Sequence, residues 1–185
     1  MRPFRKIACS TLVLILCHAA HAQAAGDLSA FRFPVLVSYN LEKNKVTLPS
    51  DLQGEMNLLI MPFELEQQKE ADSWTPIVKM VEASHPGLRH YLVPIFGSEN
   101  FLYRWWMNSS LRSLLPAEDQ RQTTIPLYLN RQRFLKQLQV TSDREITVLL
   151  VEKNGRVLWR TTGPLTKDKQ ISLETALATS VKSEH

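Results

Sequence analysis

Residues 56–63 read Met-Asn-Leu-Leu-Ile-Met-Pro-Phe, an apolar run broken only by Asn57. It is the length of a strand rather than of a helix, and it lacks the alternation of a strand with one face in water. Such a strand is buried on both faces, as in parallel sheets, and a sheet of that kind needs a packed layer on each side. The segments around the run must therefore supply two layers, which points to an α/β domain.

Those segments have the required patterns. After a polar tract, 64–72, the residues Trp74, Ile77, Val78 and Val81 fall at i, i+3, i+4 and i+7, one apolar helix face. Pro76 suits a first helical turn behind Ser73 or Thr75 as cap, or a kink in a longer helix. His85-Pro86-Gly87 ends that helix, and 89–96 forms the next strand, so the stretch reads as a β-α-β unit. Upstream, 34–39 and 45–48 flank turn-forming residues as a hairpin, and 48–54 is a turn-rich link. Downstream, 101–115 has helical length, 118–124 reads as a solvated loop and 125–129 as a short strand. Asn130 then caps a helix bearing Phe134, Leu135 and Leu138. Runs at 146–151 and 156–160 flank Asn154-Gly155, the pair a type I′ hairpin turn requires, and a last helix spans 168–181.

The N-terminus reads as an export signal. Arg2, Arg5 and Lys6 precede an apolar stretch at 7–17 and a small-residue tract with cleavage sites after Ala22 or Ala24. Lipid attachment at Cys17 would want a small residue before it, and Leu16 stands there. The expected organisation is a cleaved signal, 1–22, a leader, 23–32, and one domain, 33–182, in the periplasm or secreted. Cleavage would remove both cysteines, Cys9 and Cys17, and three of the 22 Lys and Arg, leaving 19 basic against 18 acidic residues. The exported chain would then hold no thiol nucleophile and no cysteine metal ligand. Nor would it have the positive excess that nucleic-acid binding uses. No run after the signal is long enough to span a bilayer.

The order of elements resembles the thioredoxin-like superfamily, its exported and peroxiredoxin-type members above all. The matching pieces are the hairpin and link at 48–54 before the central strand, the ending Val148-Leu149-Leu150-Val151-Glu152-Lys153-Asn154-Gly155-Arg156-Val157-Leu158-Trp159, and Gly163 with the last helix. Trp74, the 101–115 helix with its arginines, and Tyr128-Leu129 are similar to the thioredoxin-like assembly factors of mitochondrial ATP synthase and their bacterial relatives. The resemblance implies a three-layer thioredoxin-like fold with a mixed central sheet, an N-terminal β-hairpin, and a C-terminal hairpin plus helix. Catalytic members carry cysteine just after the central strand, where a helix N-terminus lowers its pKa. Here Glu64, Leu65, Glu66, Gln67 and Gln68 stand in that loop. Redox members also place a cis-proline before the penultimate strand, where this chain has Asp143-Arg144-Glu145. The resemblance therefore implies a scaffold without thiol chemistry: neither a thiol oxidoreductase nor a peroxidase, and no cofactor.

Glu64 and Glu66 could serve acid–base or metal chemistry, but alternate residues diverge on a strand and lie about 200° apart on a helix, so a merely solvated loop is the stronger reading. His85 and His90 lack a carboxylate or cysteine cluster at ligand spacing, and no metal site is expected. Ser109 and Ser110 lack a nucleophile elbow, and no phosphate-loop or dinucleotide glycine motif is present. The unusual segment is 101–107. Its large side chains point around the helix, more than one buried stripe can hold. Either neighbouring helices cover both tryptophans, or Phe101, Arg104, Trp105, Trp106, Met107 and Arg112 form a contact face for a protein partner or a membrane surface. The expected function is a binding or assembly factor for a protein, with a membrane-protein subunit among the candidates. One alternative is a ligand-binding protein or non-thiol enzyme using 64–68, and another is an accessory protein docking to a true thiol oxidoreductase.

Overall fold

The computed structural model describes residues 31–97 and 100–182; the signal segment, most of the leader and both cysteines lie outside the described residues. The apolar run folds as β3 (Met56–Met61), with five of its six residues buried. It pairs in parallel with β4 (Leu88–Leu92) and antiparallel with β7 (Thr147–Glu152). With β8 (Val157–Thr162) the sheet runs β4-β3-β7-β8 and is mixed. Alternation along β3 and β7 sorts the core into two layers. Leu58, Ile60, Val148 and Leu150 meet α2 (Thr75–Ser84) and α6 (Lys167–Lys182) through Ile77, Val78, Leu173 and Leu177. Leu59, Met61, Leu149 and Val151 face Leu48 of the hairpin β1 (Leu36–Tyr39) and β2 (Lys45–Leu48), and Phe134 of α5 (Arg131–Gln137). Each fully buried aliphatic side chain contributes about 1.5–3 kcal/mol, which makes these two layers the main source of stability.

Asn57, the polar residue of the run, is buried and explained by Gly54. Its Nδ2 donates to the Gly54 carbonyl at 2.8 Å, and its Oδ1 accepts from the Gly54 N–H at 3.1 Å. The link and the central strand are thus locked at close range. A Cβ on Gly54 would lie 2.4 Å from the Met56 carbonyl oxygen and 2.8 Å from the Arg89 nitrogen.

Several local expectations are corrected. The expected solvated loop at 64–68 is instead a 3-10 turn, Leu65–Gln67, leading into α1 (Gln68–Ser73). α1 and α2 meet at Trp74, so neither Ser73 nor Thr75 caps α2. Ser73 Oγ instead donates to the Glu70 carbonyl and accepts from the Leu165 N–H. The strand expected over 89–96 ends at Leu92 and resumes as β5 (Ile95–Phe96), because Pro94 has no N–H to give; β5 pairs with β6 (Leu127–Tyr128). The expected loop at 118–124 holds a short helix, α4 (Glu118–Gln122), whose first-turn acids suit a helix start. The helix expected at 101–115 is α3 (Phe101–Leu114).

The β7–β8 turn is not type I′, which needs positive φ at both central residues. Positive φ in this turn is confined to Gly155, at 89°. The Gly155 N–H donates to the Glu152 carbonyl at 2.9 Å, and the Glu152 N–H to the Arg156 carbonyl at 3.0 Å. That is a type I turn with a glycine bulge, in which Asn154 Oδ1 accepts from the Arg156 N–H at 2.7 Å. Glu152 is held here by Arg156, whose Nε lies 3.0 Å away, and by Asn154. The Arg156 hydrogen bonds hold its carboxyl below the ordinary 4.5. A depressed folded pKa adds stability that is present above the ordinary value and lost as pH falls through the folded one. The Glu152→Gln variant is therefore expected to melt below the parent at neutral pH, with the two melting temperatures converging as pH falls through the lowered pKa of the folded Glu152.

Candidate functional site

Two regions bear on function. The first is the crevice at the end of β3, where catalytic relatives of the fold would hold thiols. Gln67, 5% exposed, fills it. Its Oε1 accepts from the N–H groups of Phe63 at 2.7 Å and Glu64 at 3.3 Å, and its Nε2 donates to the Asp143 carbonyl at 2.7 Å. Arg131, the first residue of α5, donates to the Phe63 carbonyl at 2.8 Å and pairs with Glu64 and with Asp143 at 3.4 Å. Glu70 accepts from the Ile146 N–H at 3.2 Å. These side chains clamp the 63–67 turn to the segment before β7 and use up the polar capacity of the crevice.

The paired-carboxylate idea finds no convergent geometry here. Glu64 turns to Arg131, Glu66 is exposed and meets no partner among the described residues, and Gln68 bonds Asp72. Arg144 lines a separate cavity of about 520 Å³. Glu82 Oε1 accepts from the His90 backbone N–H and lies 2.8 Å from His90 Nδ1, and His85 Nδ1 lies 3.1 Å from the Val81 carbonyl. Among the described residues no group of three His, Asp or Glu could hold a metal ion.

The second region is the α3 face. Asn100 caps the helix by accepting from the Tyr103 N–H. Its inner side is fixed by Met107, 3% exposed, and by Tyr128, whose hydroxyl donates to Asn108 at 2.7 Å and whose ring stacks on Phe96 at 5.3 Å. Burial pushes the Tyr128 hydroxyl well above its usual pKa, so it stays a proton donor. Met107 is thereby corrected from contact residue to core: it lies on the one stripe that faces the protein. The outer side is bare. Phe101, Leu102, Trp105 and Trp106 are exposed, at 76, 71, 63 and 56%. Arg104 sits over the Tyr128 ring at 5.2 Å, and Arg112 donates to the Leu41 carbonyl.

Between α3 and the β1–β2 hairpin runs a groove of about 560 Å³, lined by Tyr39, Leu41, Lys43, Phe101, Arg104, Trp105 and Arg112 among others. Among the described residues no carboxylate lines it. Glu42 turns to Arg121, whose hydrogen bond lowers its pKa, and also lies 4.0 Å from the Arg112 guanidinium. Val37 and Tyr39 of β1 extend the apolar surface, both more than half exposed.

A family model described as ATP10 protein matches residues 23–179. The chain belongs to the ATP10 protein family. Like other chains of thioredoxin-like fold, this family member superposes on solved structures at low identity. A thiol:disulfide interchange protein from Bacteroides sp. is 15% identical, with TM-score 0.51 over 78% of this chain and 87% of that one. BsSco, a member of the Sco family of cytochrome c oxidase assembly proteins, is 16% identical, with TM-score 0.52 over 79% and 93%. At such identity the likeness concerns the fold, and it bears out the thioredoxin-like expectation. No curated protein matched the sequence. In this chain the cysteines stand at 9 and 17, far in sequence from the clamp at 63–67.

The clamp was missed in the sequence. Arg131 lies 67 residues from Glu64, and no local pattern marks the pairing. The hairpin's share of the outer face did have a signal, since Val35, Val37 and Tyr39 alternate with the inward Leu36 and Ser38.

Proposed function

We propose that this ATP10 family member is an exported assembly factor that works by holding a protein partner, without thiol–disulfide exchange. The observation that carries the reading is the groove between α3 and the β1–β2 hairpin, open and flanked by exposed aromatic side chains, while the turn after β3 is occupied by the hydrogen bonds of Gln67 and Arg131. Aromatic and arginine side chains dominate the energetics of protein contacts, and this groove is built from them. The family label and the likeness of the fold to an oxidase assembly protein support the assembly role. The basic, apolar and small-residue order of 1–25 supports export.

Photocrosslinking in cells tests it, with a photoreactive residue at Trp105 and a second at the buried Met107 as control. The expected result is one specific adduct from position 105, none from 107, and loss of the adduct when Phe101 and Tyr39 are replaced by alanine. Position 105 yielding no specific partner, with the Phe101→Ala/Tyr39→Ala variant behaving as the parent, would overturn the reading.

A further inference from the structure

A β-strand with one ladder neighbour leaves a row of main-chain groups on its other side, and proteins usually cover or charge such an edge. Here the edges of β2 and β4 are covered, and so are both ends of β8. On β2 the Thr47 N–H donates to Asp51 Oδ2 at 2.7 Å, and the Thr47 carbonyl accepts from the Asp51 N–H at 2.8 Å. On β4 the N–H groups of Leu88, His90 and Leu92 go to the His85 carbonyl, Glu82 Oε1 and the Thr123 carbonyl, at 2.8, 2.8 and 3.0 Å. On β8 the Val157 N–H donates to the Phe31 carbonyl at 3.2 Å, and Lys169 Nζ donates to the Thr162 carbonyl at 2.6 Å.

β1 is different. The Asn40 N–H donates to the Asn44 carbonyl at 3.0 Å, which fixes the phase of the ladder: Leu36 and Ser38 bond across to β2, while the N–H and C=O of Val37 and Tyr39 point away from it. Among the described residues nothing bonds these four groups. Leu36–Tyr39 carries neither a charge nor a proline to guard them. The groove beside α3 and a second cavity of about 380 Å³, lined by all four β1 residues with Arg104, Asn108 and Tyr128 among others, run along this edge, and no β2 residue lines either. Open main chain thus forms one wall of the site and α3 the other.

We propose that the protein partner enters this site as an extended apolar segment, added to β1 as a third strand of the β1–β2 sheet. Donor and acceptor pairs repeating at every second residue, about 6.8 Å apart, match the main chain of another strand rather than a compact surface. One set of the segment's alternate side chains faces Leu36, Leu127 and Leu129 in the smaller cavity, and the other meets the exposed Val37 and Tyr39, so apolar residues suit both. A second copy of this chain is opposed by α3: each β1 would bring its own helix to the open side, where Arg104 and Trp105 already stand. The inference rests on the assembly reading and adds to it the conformation in which the partner is held.

Val37→Pro tests it, because proline there removes an N–H that the β1–β2 ladder does not use. With a photoreactive residue at Trp105 in cells, Val37→Pro of unchanged circular dichroism is expected to cut the specific adduct by about tenfold. Val37→Thr, which keeps the N–H and the branched shape, is expected to retain it. Amide hydrogen exchange is the second measurement and needs no substitution in the strand. In the free protein the Val37 and Tyr39 amides are expected to exchange fast and the Ser38 amide slowly; in the purified adduct those of Val37 and Tyr39 slow by on the order of tenfold or more. No specific adduct from the parent would overturn the assembly reading and this inference with it. An adduct that survives Val37→Pro, an adduct in which both amides still exchange fast, or a dimer that protects them without any partner overturns strand addition alone.

Discussion

Trp74→Ala is expected to lower the unfolding free energy by about 3–5 kcal/mol and the melting temperature by on the order of 10 °C. Trp74 is fully buried where α1 turns into α2, edge-on to Trp159 at a centroid distance of 6.1 Å, and its Nε1 donates to the Gly163 carbonyl at 3.2 Å. Three parts of the chain meet in that one side chain: the helix over the sheet, strand β8, and the start of the C-terminal segment. Removing the indole leaves a cavity that Ile77, Leu173 and Leu177 can refill only in part, and strands the Gly163 carbonyl. Trp74→Phe separates the two losses, since it keeps most of the ring and gives up the N–H; about 1–2 kcal/mol is expected for it. Denaturant unfolding followed by circular dichroism measures both. A Trp74→Ala cost below about 1 kcal/mol would mean that the helix layer is not joined through this residue.

Gly54→Ala has the second large effect, about 2–4 kcal/mol, and for the opposite reason: a single added methyl group has nowhere to go. The atoms it would meet are the Met56 carbonyl oxygen, the Arg89 nitrogen and Asn57 Oδ1, two of them backbone of neighbouring parallel strands. Relief requires parting β3 from β4 or breaking the Asn57–Gly54 pair inside the core. Gly87→Ala is the matched control, because its nearest neighbour would be Glu55 Cβ at 3.8 Å, an ordinary contact, and little change is expected. If the two variants melted alike, the close approach at Gly54 would not be the constraint described.

The large features of the fold were legible because they rest on hydrophobic periodicity. The doubly apolar run at 56–63, the Trp74, Ile77, Val78, Val81 stripe and the two hairpins each bury the side chains their spacing selects. What escaped were features decided by a few hydrogen bonds. Gln67 turns a charged stretch into a 3-10 turn by accepting from Phe63 and Glu64, and the Glu152–Gly155 bond selects a bulged turn over the type that Asn-Gly favours. Helix periodicity on α3 showed an excess of large side chains, and the structure resolves it: Met107 takes the buried stripe, and both tryptophans are left outside. The crevice clamp lies beyond any local reading, since Arg131 reaches it from another helix.

That clamp also fixes how far this scaffold stands from oxidoreductase chemistry. Cysteines placed at 64 and 67 would supply the familiar three-residue spacing, yet they would delete the acceptor of the Phe63 and Glu64 N–H groups and the donor to the Asp143 carbonyl. Arg131 would lose Glu64 and keep Asp143 and the Phe63 carbonyl, leaving it to cross the mouth of the new site. The thiols would thus arrive in a turn deprived of the bonds that shape it. For protein engineering, and for any lineage retracing such a path, reactivity and architecture here have to be rebuilt together, so that short mutational routes lead first through a less stable protein.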